Sequence, residues 1–304
     1  MFDVRAFAAR PKPVLLIAGA TATGKSRFAL DVAQQVSSII INADSMQVYD
    51  AIPILTAQPT AEERACAPHA LYGTLKPHDV CSAARWAALA KTELQAAWAS
   101  KALPIVVGGT GLYLRSLLEG LSPIPDIDPA VRSFVRRALD VQGSAGIKSA
   151  LREHDPALAE RLDDNDTQRL CRALEVVLST GTPLSVWQKI PPTGGLQEMA
   201  DVSIEKRVLE LDRATLYQRC NDRLEEMLKH GALDELQELL SLNLETHFPV
   251  MRAVGVPALT AYLSGNMVKT EAIELAKRDT RRFAKRQLTW LRNQFGKWSW
   301  QILE

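Results

Sequence analysis

An α/β fold is predicted, a parallel sheet flanked by helices with an inserted all-helical subdomain, and three observations predict it. Short apolar runs alternate with helical patterns through residues 1–120. A stretch rich in proline and aspartate then opens a long region of helix spacing, and an alternating run returns to strand character beyond residue 200. Strands alternating with helices imply parallel pairing, because parallel neighbours need crossover connections.

The first run, VLLIA at 14–18, leads directly into Gly19, Ala20, Thr21, Ala22, Thr23, Gly24, Lys25 and Ser26. Gly24 permits a tight turn, successive backbone N–H groups and the next helix N-terminus face an anion, Lys25 adds a point charge, and Ser26 can ligate Mg²⁺. This loop makes the expected fold P-loop NTPase-like and its ligand a pyrophosphate group. Kinases, ATPases, switches and a few transferases share it, so the loop alone leaves the reaction open.

The second run, SIII at 38–41, ends in Asn42, Ala43, Asp44, Ser45, Met46, Gln47, Val48 and Tyr49. The third, PIVV at 104–107, ends in Gly108, Gly109, Thr110, Gly111, Leu112 and Tyr113. Ligands of parallel sheets gather at the carboxyl edge of the strands, so all three clusters are expected to face one site. Asp44 is expected beside the phosphate loop in the sheet, as a general base or as a magnesium ligand.

The segment LSPIPDIDP at 121–129 forbids regular structure and marks a boundary. Helix spacing then runs over 130–187 and closes at IPPTGG, 190–195. Residues 1–120 and 201–304 are therefore read as the catalytic core, and 121–200 as the helical insertion. RVLELD at 207–212 alternates like a strand and returns the chain to the sheet. Leu216, Cys220, Leu224, Met227 and Leu228 recur at helical intervals, as do Leu233, Leu236, Leu239 and Leu240 after Gly231. The last helix is expected to separate an apolar side (Ala276, Phe283, Ala284, Leu288, Leu291) from a basic stripe of Lys277, Arg278, Arg281, Arg282, Lys285 and Arg286.

With 47% hydrophobic and 23% charged residues, the 304-residue chain can bury a sizeable core, which excludes disordered and fibrous classes. A net charge of +1 requires any nucleic-acid partner to be met by local basic patches. Cys66, Cys81, Cys171 and Cys220 lack CxxC spacing and histidines at metal-site intervals, so incidental reduced thiols are expected. No secretory leader or membrane-length apolar stretch is read, and a cytoplasmic protein without membrane contact is expected.

Taken together, these clusters resemble the tRNA dimethylallyltransferases of the isopentenyl transferase family, in the short bacterial form. The resemblance rests on GATATGKS at 19–26, DSMQVY at 44–49, TAQPT at 56–60, GGTGLYLRSLLEG at 108–120, DTQRLCRALEV at 166–176, DRATLYQRCNDRLEEML at 212–228, MRAVG at 251–255 and TRRFAKRQLTWLRNQ at 280–294. Three positions depart from the family's usual pattern: Ala20 stands where proline is usual, Thr23 where serine is commoner, and Val256 where tyrosine often follows.

The resemblance implies transfer of a dimethylallyl group from dimethylallyl diphosphate to the exocyclic amine of the adenine 3′-adjacent to the anticodon of tRNA. It implies Asp44 as general base, Thr23 near the bridging oxygen, Arg219 in preference to Arg223 on the diphosphate, and Mg²⁺ at Ser26. Ser45, Met46 and Gln47 are implied at the flipped base and Thr110 at the channel entrance. Asp166, Thr167, Gln168, Arg169 and Leu170 are implied on the anticodon stem-loop, and Arg252 and Arg282 along RNA backbone. A monomer is expected. The alternatives are a P-loop small-molecule or nucleotide kinase, with the insertion as lid, and a nucleotide-dependent RNA-binding switch.

Overall fold

The structure is a computed structural model and describes residues 2–303. Along the chain its strands are β1 (Pro13–Gly19), β2 (Ser38–Asn42), β3 (His69–Ala70), β4 (Leu103–Gly108), β5 (Gly120–Leu121), β6 (Thr193–Gly194), β7 (Ser203–Glu210) and β8 (Ser299–Ile302). The main sheet pairs in parallel in the order β3-β2-β4-β1-β7-β8. Every residue of β1 and β4 is buried, as interior parallel strands covered on both faces require. Leu15 and Ile17 pack on Ala29, Leu30 and Val32 of the helix Lys25–Ala33 and on Val4 and Phe7 of the helix Val4–Ala8.

Parallel pairing turns the ends of β1, β2 and β4 to the same edge of the sheet, so the three polar clusters follow from one topology. The expected adjacency of Asp44's strand to the loop strand is corrected. β4, buried along its whole length, takes the interior place beside β1, and β2 lies one strand further out. The returning strand also begins earlier than the alternating run, at Ser203, and stops at Glu210. Asp212 is taken up capping the helix Arg213–Lys229, its carboxylate accepting from the N–H groups of Ala214 and Thr215 at 2.9 and 3.0 Å. The edge strands β3 and β8 carried no clear sequence pattern, being two and four residues long.

The chain divides into two compact units, one running to Leu118 and resuming at Met199, the other Glu119–Glu198. The second unit holds the helices Pro129–His154, Pro156–Arg161, Thr167–Thr180 and Leu184–Trp187. Gly143, at φ 65°, breaks the longest of them. Val135, Ile147, Leu151, Leu158, Leu162, Leu170 and Leu174 form its core. A short antiparallel pairing of β5 with β6 adds to the helices. No helix among the described residues is long and apolar enough to cross a membrane.

Candidate active site

At the end of β1 the backbone enters the left-handed region at Ala22 (φ 63°) and Gly24 (φ 89°) before the helix Lys25–Ala33 begins. Such reversals turn consecutive N–H groups to one concave side, where an anion can sit. The buried Thr23 donates its hydroxyl to the Ala20 carbonyl at 2.8 Å, and Lys25 Nζ donates to the same oxygen at 2.5 Å. One backbone oxygen thus engages both side chains, while Ser26 stands exposed in the first helical turn. Burial lowers the Lys25 ammonium to about 8, against the upward pull of the Asp44 charge.

The helix Arg213–Lys229 lays two arginines along this loop, one turn apart. Arg223 Nη1 donates to Thr21 Oγ1 at 3.1 Å. Burial lowers the Arg223 guanidinium and the charge of Asp44 opposes the shift. Arg219 is exposed, and a Cβ placed on Gly24 would lie 3.9 Å from its Nη1. Lys25, Arg219 and Arg223 bring three positive charges to one loop, with the Asp44 charge felt by two of them.

Beyond β2 the backbone that carries the Asp44 carboxylate is held by a buried amide. Asn42 donates from Nδ2 to the carbonyls of Asp44 and Leu71, both at 3.0 Å, and accepts from the Asp44 N–H at 2.8 Å. Trp86 Nε1 in turn donates to the Asn42 carbonyl at 2.8 Å. Asp44 Oδ1 accepts from the Met46 N–H at 2.9 Å, and Oδ2 has no protein donor among the described residues. The Ser45 N–H donates to Thr110 Oγ1 at 2.9 Å, and the Thr110 N–H donates to the Ala43 carbonyl at 3.1 Å. This approach needs Gly108, where a Cβ would fall 2.1 Å from the Ala43 carbonyl.

Gln47 has both amide protons committed, to the carbonyls of Thr56 and Ala57 at 2.9 Å, which leaves its Oε1 for a ligand. The short helix Pro53–Thr56 behind it is anchored by the buried Glu235, which accepts from the N–H groups of Ile54 and Leu55 at 2.7 and 2.8 Å. Sequence reasoning assigned no role to Asn42 or to Gln287, which reaches both the phosphate loop and the loop after β4. Each is a polar residue at a buried position of an apolar pattern, and that was the available signal.

The basic helix Lys269–Phe295 departs from its expected faces. Lys277 pairs with Glu225 and Glu274 at 2.7 and 3.0 Å, and Arg281 donates to Asn221 Oδ1 at 2.6 Å, so these two are turned toward the neighbouring helix. Phe283 is half-buried with the Arg286 guanidinium 5.8 Å from its ring centre. Arg282, Lys285, Arg286, Thr289, Trp290 and Asn293 line a shallow hollow. Arg252 is exposed and donates from Nε to the Thr246 carbonyl at 3.1 Å.

In the helical unit Asp166 precedes the helix Thr167–Thr180 and pairs with Arg169 at 3.4 Å. Thr167 Oγ1 donates to the Asn165 carbonyl at 3.5 Å, and Gln168 and Arg169 are exposed. Leu170 is corrected: it is fully buried in the core of this unit, so its side chain packs there and presents nothing to a ligand.

Comparison with known proteins supplies the remaining findings. The pattern described as IPP transferase matches residues 47–294, and that described as isopentenyl transferase matches 12–69. The chain is 46% identical over 282 residues to the tRNA dimethylallyltransferase of Paramagnetospirillum magneticum, spanning 93% of this chain and 88% of that one. It is 47% identical over 286 residues to that of Rhodospirillum rubrum, spanning 93% and 86%. Among solved structures it resembles the tRNA isopentenylpyrophosphate transferase of Bacillus halodurans, with TM-score 0.67, 31% identity and coverage of 96% and 90%. It also resembles a eukaryotic dimethylallyltransferase acting on tRNA, with TM-score 0.76, 27% identity and coverage of 96% and 73%.

Proposed function

The chain belongs to the IPP transferase family, and we propose that it transfers the dimethylallyl group of dimethylallyl diphosphate to the exocyclic amine of the adenine 3′-adjacent to the anticodon of tRNA, releasing diphosphate. One observation carries the residue assignment. A loop with three cations and a carboxylate with an uncommitted oxygen meet at the same sheet edge.

In this reading the bond between the allylic carbon and the bridging oxygen breaks as the bond from the adenine nitrogen forms. Negative charge grows on the departing diphosphate and positive charge on the allylic carbon. The loop N–H groups, Lys25, Arg219 and Arg223 stabilise the departing anion where its charge develops. The Thr23 hydroxyl leaves the Ala20 carbonyl for the bridging oxygen. Asp44 accepts the amine proton on Oδ2, an effect typically worth ~10²–10⁴-fold.

Magnesium fits this donor set, since it retains waters and binds through substrate phosphates with few protein oxygens. Ser26 would hold it, and it would neutralise charge on the diphosphate. Among the described residues no cluster of three or more His, Cys, Asp or Glu offers a self-contained metal site.

An adenine stacked in an anticodon loop must be extruded to reach a carboxylate beside the sheet edge. Ser45, Met46 and the free Oε1 of Gln47 would receive it, with Thr110 at the entrance. Residues 121–200 form the RNA-contacting insertion, through Asp166, Thr167, Gln168 and Arg169. Arg252 and Arg282 would follow the RNA backbone. The reaction belongs in the cytoplasm.

The test incubates the protein with labelled dimethylallyl diphosphate and unfractionated tRNA and locates the modified nucleoside. Label is expected in one adenine nucleoside, and only when RNA is present. No label in RNA, together with tight ATP binding, would instead favour a kinase.

A further inference from the structure

Gln287 sits about two-thirds of the way along the helix Lys269–Phe295 and is 7% exposed. It lies on the buried stripe with Ala284, Leu288 and Leu291, where an apolar side chain would be the ordinary choice. Its carboxamide is used at both ends. Oε1 accepts from the Thr21 N–H at 2.9 Å, and Nε2 donates to the Gly109 carbonyl at 2.9 Å. The reverse orientation would set donor against donor and acceptor against acceptor, so the two partners fix the amide.

These partners lie on different loops. Thr21 belongs to the phosphate loop, and its hydroxyl is the acceptor for Arg223. Gly109 precedes Thr110, whose N–H is bonded to Ala43 and whose hydroxyl receives the Ser45 N–H, on either side of Asp44. A continuous hydrogen-bonded path therefore runs from the anion cradle through Gln287 to the backbone of the carboxylate. A Cβ on Gly109 would come within 2.3 Å of Gln287 Nε2, so the glycine admits this amide and little else.

We propose that Gln287 is a positioning residue: it sets the distance between the loop that holds the leaving diphosphate and the segment that carries the proton-accepting Asp44. The inference rests on the proposed prenyl transfer and names the device that keeps its two halves in register. A misplacement of reacting groups by about 1 Å lowers rates by roughly a hundredfold. The predicted loss is therefore in kcat, with the KM for dimethylallyl diphosphate much less affected.

The test uses Gln287→Met and Gln287→Glu in the full chain, with single-turnover transfer to tRNA measured from mildly acidic to mildly alkaline pH. Gln287→Met should lower kcat by roughly tenfold to a hundredfold. In Gln287→Glu a protonated carboxyl can still donate to the Gly109 carbonyl, whereas a carboxylate cannot. Its rate relative to the wild type should therefore rise by roughly tenfold toward acidic pH. Simple packing would instead leave Gln287→Met, which fills the same space without the hydrogen bonds, close to the wild-type rate. Wild-type kcat in Gln287→Met, or a flat ratio in Gln287→Glu, overturns the inference, and the ratio alone decides if Gln287→Met does not fold. Hydrogen exchange at the Thr21 amide separates this inference from the activity itself. Slow exchange in the wild type that becomes fast in Gln287→Met supports the link even if no prenyl transfer occurs, and fast exchange in the wild type refutes it.

Discussion

The two ends of the site are built by opposite means. The proposed anion end gathers charge: Lys25, Arg219 and Arg223 crowd one loop, where the Lys25 ammonium donates to the Ala20 carbonyl and feels the Asp44 charge. The carboxylate end is braced by hydrogen bonds, for Asn42 grips both backbone polar groups of Asp44 and Thr110 fixes Ser45 beside it, while Asp44 Oδ2 stays open. Like charges gathered on one loop favour binding of an anion, and a braced carboxylate keeps its aim. The first arrangement favours capture of a diphosphate, the second proton transfer in a fixed direction.

Substitutions can test whether these jobs are separable. Outside Asp44 the largest effect belongs to Lys25. Lys25→Met should weaken pyrophosphate binding by roughly tenfold to a hundredfold, as for a lost hydrogen bond to a charged group. The wild-type ammonium is charged below about 8 and neutral above it, so wild-type affinity should fall as pH rises through that value. Lys25→Met should lack that fall, and calorimetric titration with pyrophosphate reads both. Equal pH dependence in the two proteins would remove Lys25 from the cradle.

At the other end, Asn42→Ala leaves buried polar groups unsatisfied, which costs about 1–3 kcal/mol of stability. It should also slow transfer by about tenfold, since Asp44 loses its brace, yet leave pyrophosphate affinity nearly unchanged. Denaturant melts and single-turnover rates check the two parts. A large drop in pyrophosphate affinity would mean that the ends are not separable.

Smaller effects divide the arginines. Arg223, fixed by Thr21, is already in place for an anion, whereas the exposed Arg219 must give up rotamer freedom to help. Arg223→Met should therefore weaken pyrophosphate binding more than Arg219→Met, the second by only a few-fold, which reverses the preference for Arg219 drawn from the resemblance. The least effect on chemistry is expected from Arg282→Ala. It should weaken tRNA binding and reduce the salt slope of that binding by about 1, with pyrophosphate affinity untouched.

The same contrast explains what could be read from the sequence. The loop proposed to hold the anion was legible because a phosphate loop needs its glycines, lysine and hydroxyl at fixed spacing after a strand, and residues 14–26 supply all of it. The sheet and the helical insertion were legible from periodicity and from the breakers at 121–129 and 190–195. The bracing was not. Asn42 and Gln287 are single amides whose partners lie elsewhere in the chain, at Leu71, Thr21 and Gly109, and no spacing rule announces such a contact. Strand order was misjudged because the apolar runs show which segments are strands without showing which pairs with which. Leu170 was misassigned because it lies within a motif whose polar members face solvent while it faces the core.

The central claim is that a carboxylate and an anion cradle serve one reaction from separate positions. Asp44→Asn tests it most directly, with pyrophosphate titration and single-turnover transfer of label to tRNA made on the same preparation. The predicted result is pyrophosphate affinity close to the wild type with transfer slowed by ~10²–10⁴-fold. Transfer at the wild-type rate would contradict the account.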